Sequence, residues 1–178
     1  MSVHHIPESR IRTRHVVVMG VSGCGKSTVA KGVAEAMNLP FAEADRFHPE
    51  ENVAKMAAGI PLNDDDRYPW LRDLSAWMAT QAAQGQSTTM ACSALKREYR
   101  DILRAGPPEL CFIHLNGPME VIAERMAART DHFMPVSLLA SQFEALQPLE
   151  PDEVGVVLDL RKTPEELIDE AATWLRDR

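Results

Sequence analysis

A glycine-rich run near the start of the chain has the residue types needed to bind phosphate. Residues 20–27 fit the pattern Gly-x-x-x-x-Gly-Lys-Ser of a phosphate-binding loop (P-loop). Its glycines let backbone N–H groups converge on phosphate oxygens, and the following helix points its positive end there. In such loops the lysine, here Lys26, reaches the β- and γ-phosphates of ATP, and the serine, Ser27, offers its hydroxyl to Mg²⁺. We therefore expect these residues to contact the nucleotide: Gly20, Val21, Ser22, Gly23, Cys24, Gly25, Lys26, Ser27 and Thr28.

The residues on either side of the loop support a nucleotide site. Residues 15–19 are mostly β-branched and apolar, which predicts a strand, and residues 26–38 predict an amphipathic helix. A strand-to-helix turn that binds nothing is the alternative, but it does not explain why Lys26 and Ser27 follow directly. We assign no catalytic role to Cys24, which occupies a variable position of the pattern.

A second candidate group lies at the end of the next predicted strand, residues 40–45. Compact metabolite kinases place an acidic residue there, facing the P-loop, and Asp45 fits, with Glu43 on the same side of the strand. A carboxylate in this place can orient and deprotonate an attacking hydroxyl. A structural aspartate at a strand end is the alternative. The sequence lacks the Asn-Lys-x-Asp motif of Ras-like GTPases, and its third predicted strand ends in Ser93, not the aspartate of motor and transporter ATPases.

Apolar runs alternate with helical patterns along the rest of the chain. The runs are continuous, which is typical of parallel strands covered on both faces. The alternation predicts a three-layer α/β/α domain over residues 15–178 with a five-stranded parallel sheet, after a flexible arm at 1–14. Trp70, Leu71, Leu74, Trp77 and Met78 repeat at helical spacing and predict a core stripe. The predicted strands are 15–20, 40–45, 88–93, 111–116 and 155–160, and the other predicted helices are 96–104, 119–129, 138–146 and 164–177.

The net charge and composition of the chain argue against several classes of binding partner. The chain of 178 residues has 19 Lys and Arg against 26 Asp and Glu, and this net charge of -7 disfavours nucleic acid and anionic membranes as partners. No stretch approaches the ~20 apolar residues of a membrane span. Residues 1–14 lack the apolar centre of a signal peptide, and three cysteines without paired spacing argue against disulfides or zinc. We therefore expect a cytoplasmic protein.

Several further blocks, in a fixed order, resemble the gluconate kinase (gluconokinase) family. Blocks at matching spacing are far more specific than a P-loop alone. One departure is visible, since the family usually has Asp-Gly-Asp or Gly-Asp at the end of the second strand, where this chain has Glu43-Ala44-Asp45. The blocks are Asp45–Pro49, Asn52, Lys55–Met56, Gly59–Leu62, Asp64–Arg67, Pro69–Leu71, Cys92–Lys96, Tyr99–Asp101, Leu103–Arg104, Arg125, Arg129, His132–Pro135 and Gln142–Glu144.

The resemblance implies a reaction in which ATP and D-gluconate give ADP and 6-phosphogluconate, with Mg²⁺ as cofactor. It also implies a mobile lid around residues 125–140 and suggests a homodimer. Arg125 and Arg129, spaced i,i+4, share a helix face and can neutralise charge on the transferring phosphoryl group. An exposed surface pair is the alternative for these arginines. The expected catalytic residues are therefore Lys26, Asp45, Arg125 and Arg129.

Polar residues near the predicted strand ends are candidates to hold the sugar acid. Lys96 and Arg100 are one helical turn apart and could clamp its carboxylate, with a solvated helix face as the alternative. His48 serves equally well as a residue that begins the next helix, since Pro49 follows. The expected substrate-binding residues are Asp45, His48, Arg67, Lys96, Arg100 and His132.

Two other functions stay open from the sequence. A shikimate kinase would share the fold and Asp45, but should carry a glycine triplet where this chain has Ser93-Ala94. A non-catalytic nucleotide-binding module would leave Asp45 and the two lid arginines unexplained.

Overall fold

Five parallel strands form the centre of the computed structural model, which describes residues 12–128 and 136–178. The sheet order is β2-β3-β1-β4-β5, so β1, which leads into the P-loop, is the middle strand. Every pairing between neighbouring strands is parallel, which confirms the predicted sheet. The strands are β1 (His15–Met19), β2 (Phe41–Glu43), β3 (Thr88–Ala91), β4 (Leu110–Asn116) and β5 (Gly155–Asp159).

Helices cover both faces of this sheet, as the alternation of patterns predicted. A short 3₁₀ turn, Ala44–Phe47, follows β2. The helices in the described residues are α1 (Lys26–Met37), α2 (Glu50–Ala57), α3 (Asp64–Ala83), α4 (Arg97–Arg104), α5 (Met119–Ala127), α6 (Val136–Ala145) and α7 (Pro164–Arg176).

Two hydrophobic cores, one on each face, hold the three layers together. On one face α1, α5, α6 and α7 contribute residues such as Val33, Ile122 and Leu167. On the other face α3 and α4 pack on the sheet, and Trp70, Leu71, Leu74 and Met78 are buried there, with Trp77 only partly covered. The stripe predicted from helical spacing is therefore core, not a ligand box, and the three-layer prediction is confirmed.

Helices α7 and α3 each begin at a residue whose side chain caps the first turn. Thr163 accepts a hydrogen bond from the Glu166 N–H at 3.2 Å, which caps α7 directly before Pro164. Asn63 and Asp66 exchange hydrogen bonds of 2.9 and 3.0 Å across the first turn of α3. Such a reciprocal box satisfies two amides that have no helical partner, and it fixes the helix start although Pro69 lies inside the helix.

Strand β2 is shorter than predicted, and this moves Asp45 off the sheet. The strand ends at Glu43, and the chain turns into the 3₁₀ segment at Ala44. The Ala44 carbonyl accepts a hydrogen bond from the Trp70 indole at 2.8 Å, so α3 binds the group that a longer strand would use. Asp45 therefore lies on a turn and does not share a strand face with Glu43.

The start of the described chain packs against the domain. Residues 12–14, expected as part of a free arm, contact the domain: the Arg14 N–H donates to Ser87 Oγ at 2.9 Å, and Thr13 is buried.

The predicted lid at 125–140 includes the end of α5 and the start of α6, and residues 129–135 between them lie outside the described residues. None of the helices described is long and apolar enough to cross a bilayer.

Candidate active site

The P-loop joins the middle strand to α1, and the space beside Gly25 is open. The Gly20 N–H donates to the Ser93 carbonyl at 3.2 Å, which ties the loop to the end of β3. Gly25 has φ of 96°, a left-handed conformation that favours glycine, and a side chain built there would meet no protein atom within 4 Å. The first amides of α1 have no carbonyl of their own helix to bind. Together these groups form an open cradle suited to an anion.

The two polar side chains that close the P-loop motif have partners within the site. Lys26 Nζ donates to the Val21 carbonyl at 3.2 Å, which folds the ammonium group back over the loop. Ser27 Oγ donates to Glu43 Oε2 at 2.7 Å. The hydroxyl of Ser27 and the carboxylate of Glu43 therefore lie next to each other beside the loop, as two oxygen atoms that can bind a metal ion. Thr28, the last of the expected nucleotide contacts, is exposed on the first turn of α1.

Cys24 is a buried residue of the P-loop, and charged side chains lie near it. The residue is 1% exposed, and burial raises the pKa of its thiol, opposed by the nearby charges of Lys26 and Arg125. The neutral thiol packs as a small apolar group, in line with the absence of an assigned role. The end of α5 lies beside the P-loop, because the Met126 sulfur and an Ile122 methyl group would be 2.8 and 3.1 Å from a side chain built at Gly23.

Asp45 is placed at the open front of the site. Its side chain is 83% exposed, and a carboxylate oxygen lies 3.9 Å from His48 Nε2. Burial raises the pKa of Cys92, at the end of β3, to about 12, and the charges that act on this thiol include Asp45, Lys26 and Glu43. Asp45 is two residues beyond Glu43, whose carboxylate accepts the hydrogen bond from Ser27 of the P-loop.

His48 is held rigidly beneath Asp45. Its ring stacks on Trp70 with centroids 4.2 Å apart, and its Nδ1 lies 3.1 Å from the Asn52 amide. Burial lowers the pKa of His48, and the Asp45 charge opposes this effect. Only 5% of the His48 side chain is exposed, so little of the ring is left to contact a ligand.

A cluster of Asp64, Arg67, Lys96 and Tyr99 lies at the start of α3 and α4. Lys96 Nζ and an Arg67 guanidinium nitrogen lie 3.4 and 3.5 Å from the Asp64 carboxylate. The Tyr99 hydroxyl also donates to Asp64, and this hydrogen bond, together with both cations, holds the pKa of Asp64 below its ordinary value. Each of the three charged side chains is about one-third exposed, so the cluster opens to solvent. Two cations thus converge on a single carboxylate.

The predicted clamp of Lys96 and Arg100 is not formed. Arg100 is fully buried, and its guanidinium binds Glu153 at 2.7 and 3.0 Å and the Ala94 carbonyl at 2.9 Å. Lys96 is the extended N-cap of α4, with φ of -105° and ψ of 145°, so helical i,i+4 spacing does not apply to this pair. Assigning Arg100 to the substrate was therefore wrong: it supports the turn before Lys96 from behind.

Two expected site residues, Arg129 and His132, lie outside the described residues. Arg125 is described and is half-buried on α5, the helix that lies beside the P-loop. The structure therefore brings together Lys26, Asp45, His48 and Arg125 at the carboxyl ends of the strands, with Arg67 and Lys96 beside them.

Sequence reasoning did not assign a role to Asp64 or Tyr99. Asp64 is one of three acids in the first turn of α3, where acids are common for purely helical reasons. Tyr99 stood within a block that resembles the family, but no spacing argument linked it to Asp64, 35 positions away. Only the packing of α3 against α4 brings the two side chains together.

Comparison with known proteins identifies the relatives of this site. The sequence model of the shikimate kinase family matches residues 22–170. The thermoresistant gluconokinase of Escherichia coli K12 is 46% identical over 142 residues, which cover 80% of this chain and 81% of that protein. The gluconokinase of Gluconobacter oxydans is 40% identical over 93% of both chains.

Two solved structures that are similar to this chain are also described as sugar or gluconate kinases. A gluconokinase from Sinorhizobium meliloti has a TM-score of 0.84 and 45% identity, covering 93% of this chain and 94% of its own. An unliganded sugar kinase from Janibacter has a TM-score of 0.87 and 62% identity, covering 93% and 95%. A shikimate kinase from Aquifex aeolicus, at 18% identity, shares the fold alone. With a P-loop on the middle strand and relatives of this similarity along most of its length, the chain belongs to the gluconokinase family of P-loop kinases.

Proposed function

We propose that this chain is a gluconokinase, which transfers the γ-phosphoryl group of ATP to a hydroxyl of D-gluconate to give 6-phospho-D-gluconate and ADP. The observation that carries the proposal is that a P-loop and a pair of cations suited to a carboxylate meet at one edge of the sheet. An alcohol that also bears a carboxylate matches both halves of this site. The names of the relatives supply the particular acid.

ATP binds with its terminal phosphates on the P-loop. The open space in front of Gly25 and the first amides of α1 accept phosphate oxygens. Lys26, which is bonded to the Val21 carbonyl, exchanges this neutral partner for the β- and γ-phosphates. The exchange is favourable because a hydrogen bond to a charged acceptor is stronger than one to a carbonyl.

Mg²⁺ fits the oxygen pair of Ser27 and Glu43. Mg²⁺ is commonly held by one or two protein oxygens together with waters and substrate phosphates. The two side chains are 2.7 Å apart beside the loop, and the described residues hold no larger cluster of metal-ligating side chains. When bound, the ion neutralises charge that develops on the β- and γ-phosphates. The longer Glu43 side chain reaches Ser27 from the end of β2, where the family usually has a shorter residue.

Asp45 acts as the base for the attacking hydroxyl. Its exposed carboxylate stands at the front of the site, where an alcohol can approach it. A carboxylate in this position accepts the proton as the oxygen attacks the γ-phosphorus. The His48 ring stacks on Trp70 and contacts the Asn52 amide, so its orientation is restricted. It lines the sugar site in this fixed orientation.

Lys96 and Arg67 bind the carboxylate of the sugar acid. Both cations already converge on Asp64, which shows that their side chains can serve one carboxylate at once. The planar guanidinium of Arg67 favours a bidentate contact, and Lys96 adds a compact charge. Tyr99 also donates a hydrogen bond to Asp64, so this carboxylate does not depend on the two cations alone, and their other donors can bind the substrate.

Arg125 completes the site from the lid side, and we assign Arg129 and His132 to the same role. Arg125 directly precedes Met126, which lies against Gly23 of the loop. A cation there stabilises charge that spreads over the transferring phosphoryl group. A lid over the site also keeps water away, which favours transfer over hydrolysis. The family resemblance is what supports a homodimer and a cytoplasmic location.

A coupled assay of ADP release tests the function. Purified protein with ATP and Mg²⁺ is given D-gluconate, shikimate or a nucleoside monophosphate in separate reactions. We expect turnover with gluconate and none above background with the other two. Turnover with shikimate in preference to gluconate would assign the chain to the rival metabolite kinase, and ATP binding without any turnover would leave a non-catalytic module.

Replacing Lys96 by methionine should raise the KM for gluconate by about tenfold to a hundredfold. The reason is that a hydrogen bond to a charged group contributes about 1.5–3 kcal/mol. The KM for ATP should stay unchanged, because Lys96 lies in the acceptor cluster and not on the loop. The measurement is a pair of saturation curves, one for each substrate.

The matched control for this variant is Lys31→Met, which removes an exposed ammonium group from α1. It should leave both KM values as they are. A Lys96→Met enzyme with wild-type KM for gluconate would remove Lys96 from the carboxylate site.

A further inference from the structure

The third position of the P-loop has a partner that the loop pattern does not require. The pattern leaves the residue at this position, Ser22, free. In the structure the Ser22 N–H donates to Gln142 Oε1 at 2.6 Å, and Gln142 Nε2 donates to Ser22 Oγ at 3.0 Å. One side-chain amide therefore holds both the backbone and the side chain of Ser22.

This clasp links the loop to α6, 120 residues further along the chain. Both hydrogen bonds are half-buried, and together they fix the orientation of the Gln142 amide, since its oxygen must face the Ser22 N–H. Because the Ser22 N–H has this partner, it is not free to bind phosphate in this arrangement. The partner is also neutral, which matters beside a site that receives several negative charges.

Helix α5 touches the next residue of the loop. A side chain built at Gly23 would lie 2.8 Å from the Met126 sulfur and 3.1 Å from a methyl group of Ile122. Both residues belong to α5, which packs against α6. The loop is thus contacted at neighbouring positions by the two helices on either side of residues 129–135.

We propose that Gln142 is a positioning residue for phosphoryl transfer, which holds Ser22 so that the loop amides and Arg125 of α5 keep a fixed relation. It rests on the proposed kinase activity but concerns the nucleotide half of the site, whatever the acceptor. Gln142 acts through the loop, and it contacts neither the acceptor cluster nor Asp45. Loss of the clasp should therefore lower turnover without weakening gluconate binding.

Two substitutions of Gln142 separate the hydrogen bonds from the charge. Gln142→Leu removes both hydrogen bonds and should lower kcat about tenfold, the effect of one to two neutral hydrogen bonds. The KM for gluconate should not change. Gln142→Glu can keep both contacts with Ser22 but adds a negative charge next to the triphosphate, so it should weaken ATP binding more than the leucine variant does.

The control on the same helix is Ser141→Ala, which removes a hydrogen bond from Ser141 Oγ to the Leu138 carbonyl and touches no loop residue. It should keep the wild-type kcat. Ser22→Ala provides a second, milder test, because it loses only the bond to Oγ. It should lower kcat a few-fold in the wild-type background and have no effect when Gln142 is already leucine.

The outcomes are decisive in each case. A wild-type kcat for Gln142→Leu, or effects of Ser22→Ala that multiply independently with it, would overturn the proposal. Should wild-type protein fail to phosphorylate gluconate, the proposed acceptor is wrong, and ATP binding measured by calorimetry still tests the clasp. In that measurement equal ATP affinity for wild type and Gln142→Glu would show that the residue does not adjoin the phosphates.

Discussion

Replacement of Asp45 by asparagine should lower kcat for gluconate phosphorylation by about 10²- to 10⁴-fold, the usual contribution of a general base. Asparagine has the same shape and can still accept a hydrogen bond from the attacking hydroxyl, but it cannot take the proton. Asp45 is 83% exposed, so the variant should fold as wild type does. The measurement is the steady-state rate at saturating ATP and gluconate.

The matched control is Asp73→Asn, a change of the same chemistry at an exposed position of α3. It should leave kcat unchanged. A second readout distinguishes a base from a binding group: if Asp45 only bound the sugar, the KM for gluconate would rise while kcat stayed near wild type. A full kcat in the asparagine variant would remove Asp45 from the chemistry and return it to the role of a structural turn residue.

The parts of this site that depend on local pattern could be predicted from the sequence. The P-loop, the strand before it and the helix after it are contiguous, so their residue types and spacing define them together. Continuous apolar runs indicated the parallel sheet, and parallel strands bring their carboxyl ends to one edge. Lys26 and Asp45 therefore both lie at this edge of the sheet, although β2 ends earlier than predicted.

The parts that depend on contacts between distant segments could not be predicted. Arg100 looked like a partner of Lys96 because spacing along a helix was assumed, but Lys96 is a cap with extended backbone. The true partner of Arg100, Glu153, is 53 residues away, and Gln142 is 120 residues from Ser22. Nothing in the local sequence marks either pair, since each side chain is of a type that most often faces solvent.

Arg100, which the sequence analysis assigned to the substrate, instead stabilises the fold. Removing the charge of its partner should lower the free energy of unfolding considerably. Arg100 and Glu153 form an ion pair in which both side chains are 0% exposed, and Arg104 adds a contact to Glu153 at 3.1 Å. Glu153→Gln leaves Arg100 buried without its full counter-charge. Breaking such a pair lowers the free energy of unfolding by about 3–5 kcal/mol, which for a domain of this size lowers Tm by about 6–20 °C.

Asp152→Asn is the natural comparison, because the neighbouring carboxylate binds Arg97 at the surface and is 68% exposed. Exposed ion pairs contribute about 0–1 kcal/mol, so this variant should unfold close to the wild-type temperature. Equal losses in the two variants would show that burial of the Arg100 pair does not determine its strength.

The dependence of this stability on pH follows from the pKa of Glu153. Burial alone would raise this pKa, but the hydrogen bonds from Arg100 and Arg104 outweigh it and lower the pKa below the ordinary 4.5. A carboxyl group with a lowered pKa in the folded state contributes its stability above the unfolded pKa and loses it as pH falls through the folded value. The gap in unfolding free energy between wild type and Glu153→Gln should therefore be full at pH 7 and should shrink below pH 4.5. Denaturant unfolding at a series of pH values measures it, and a gap that stays constant into the acid range would contradict an ionised Glu153 as the partner of Arg100.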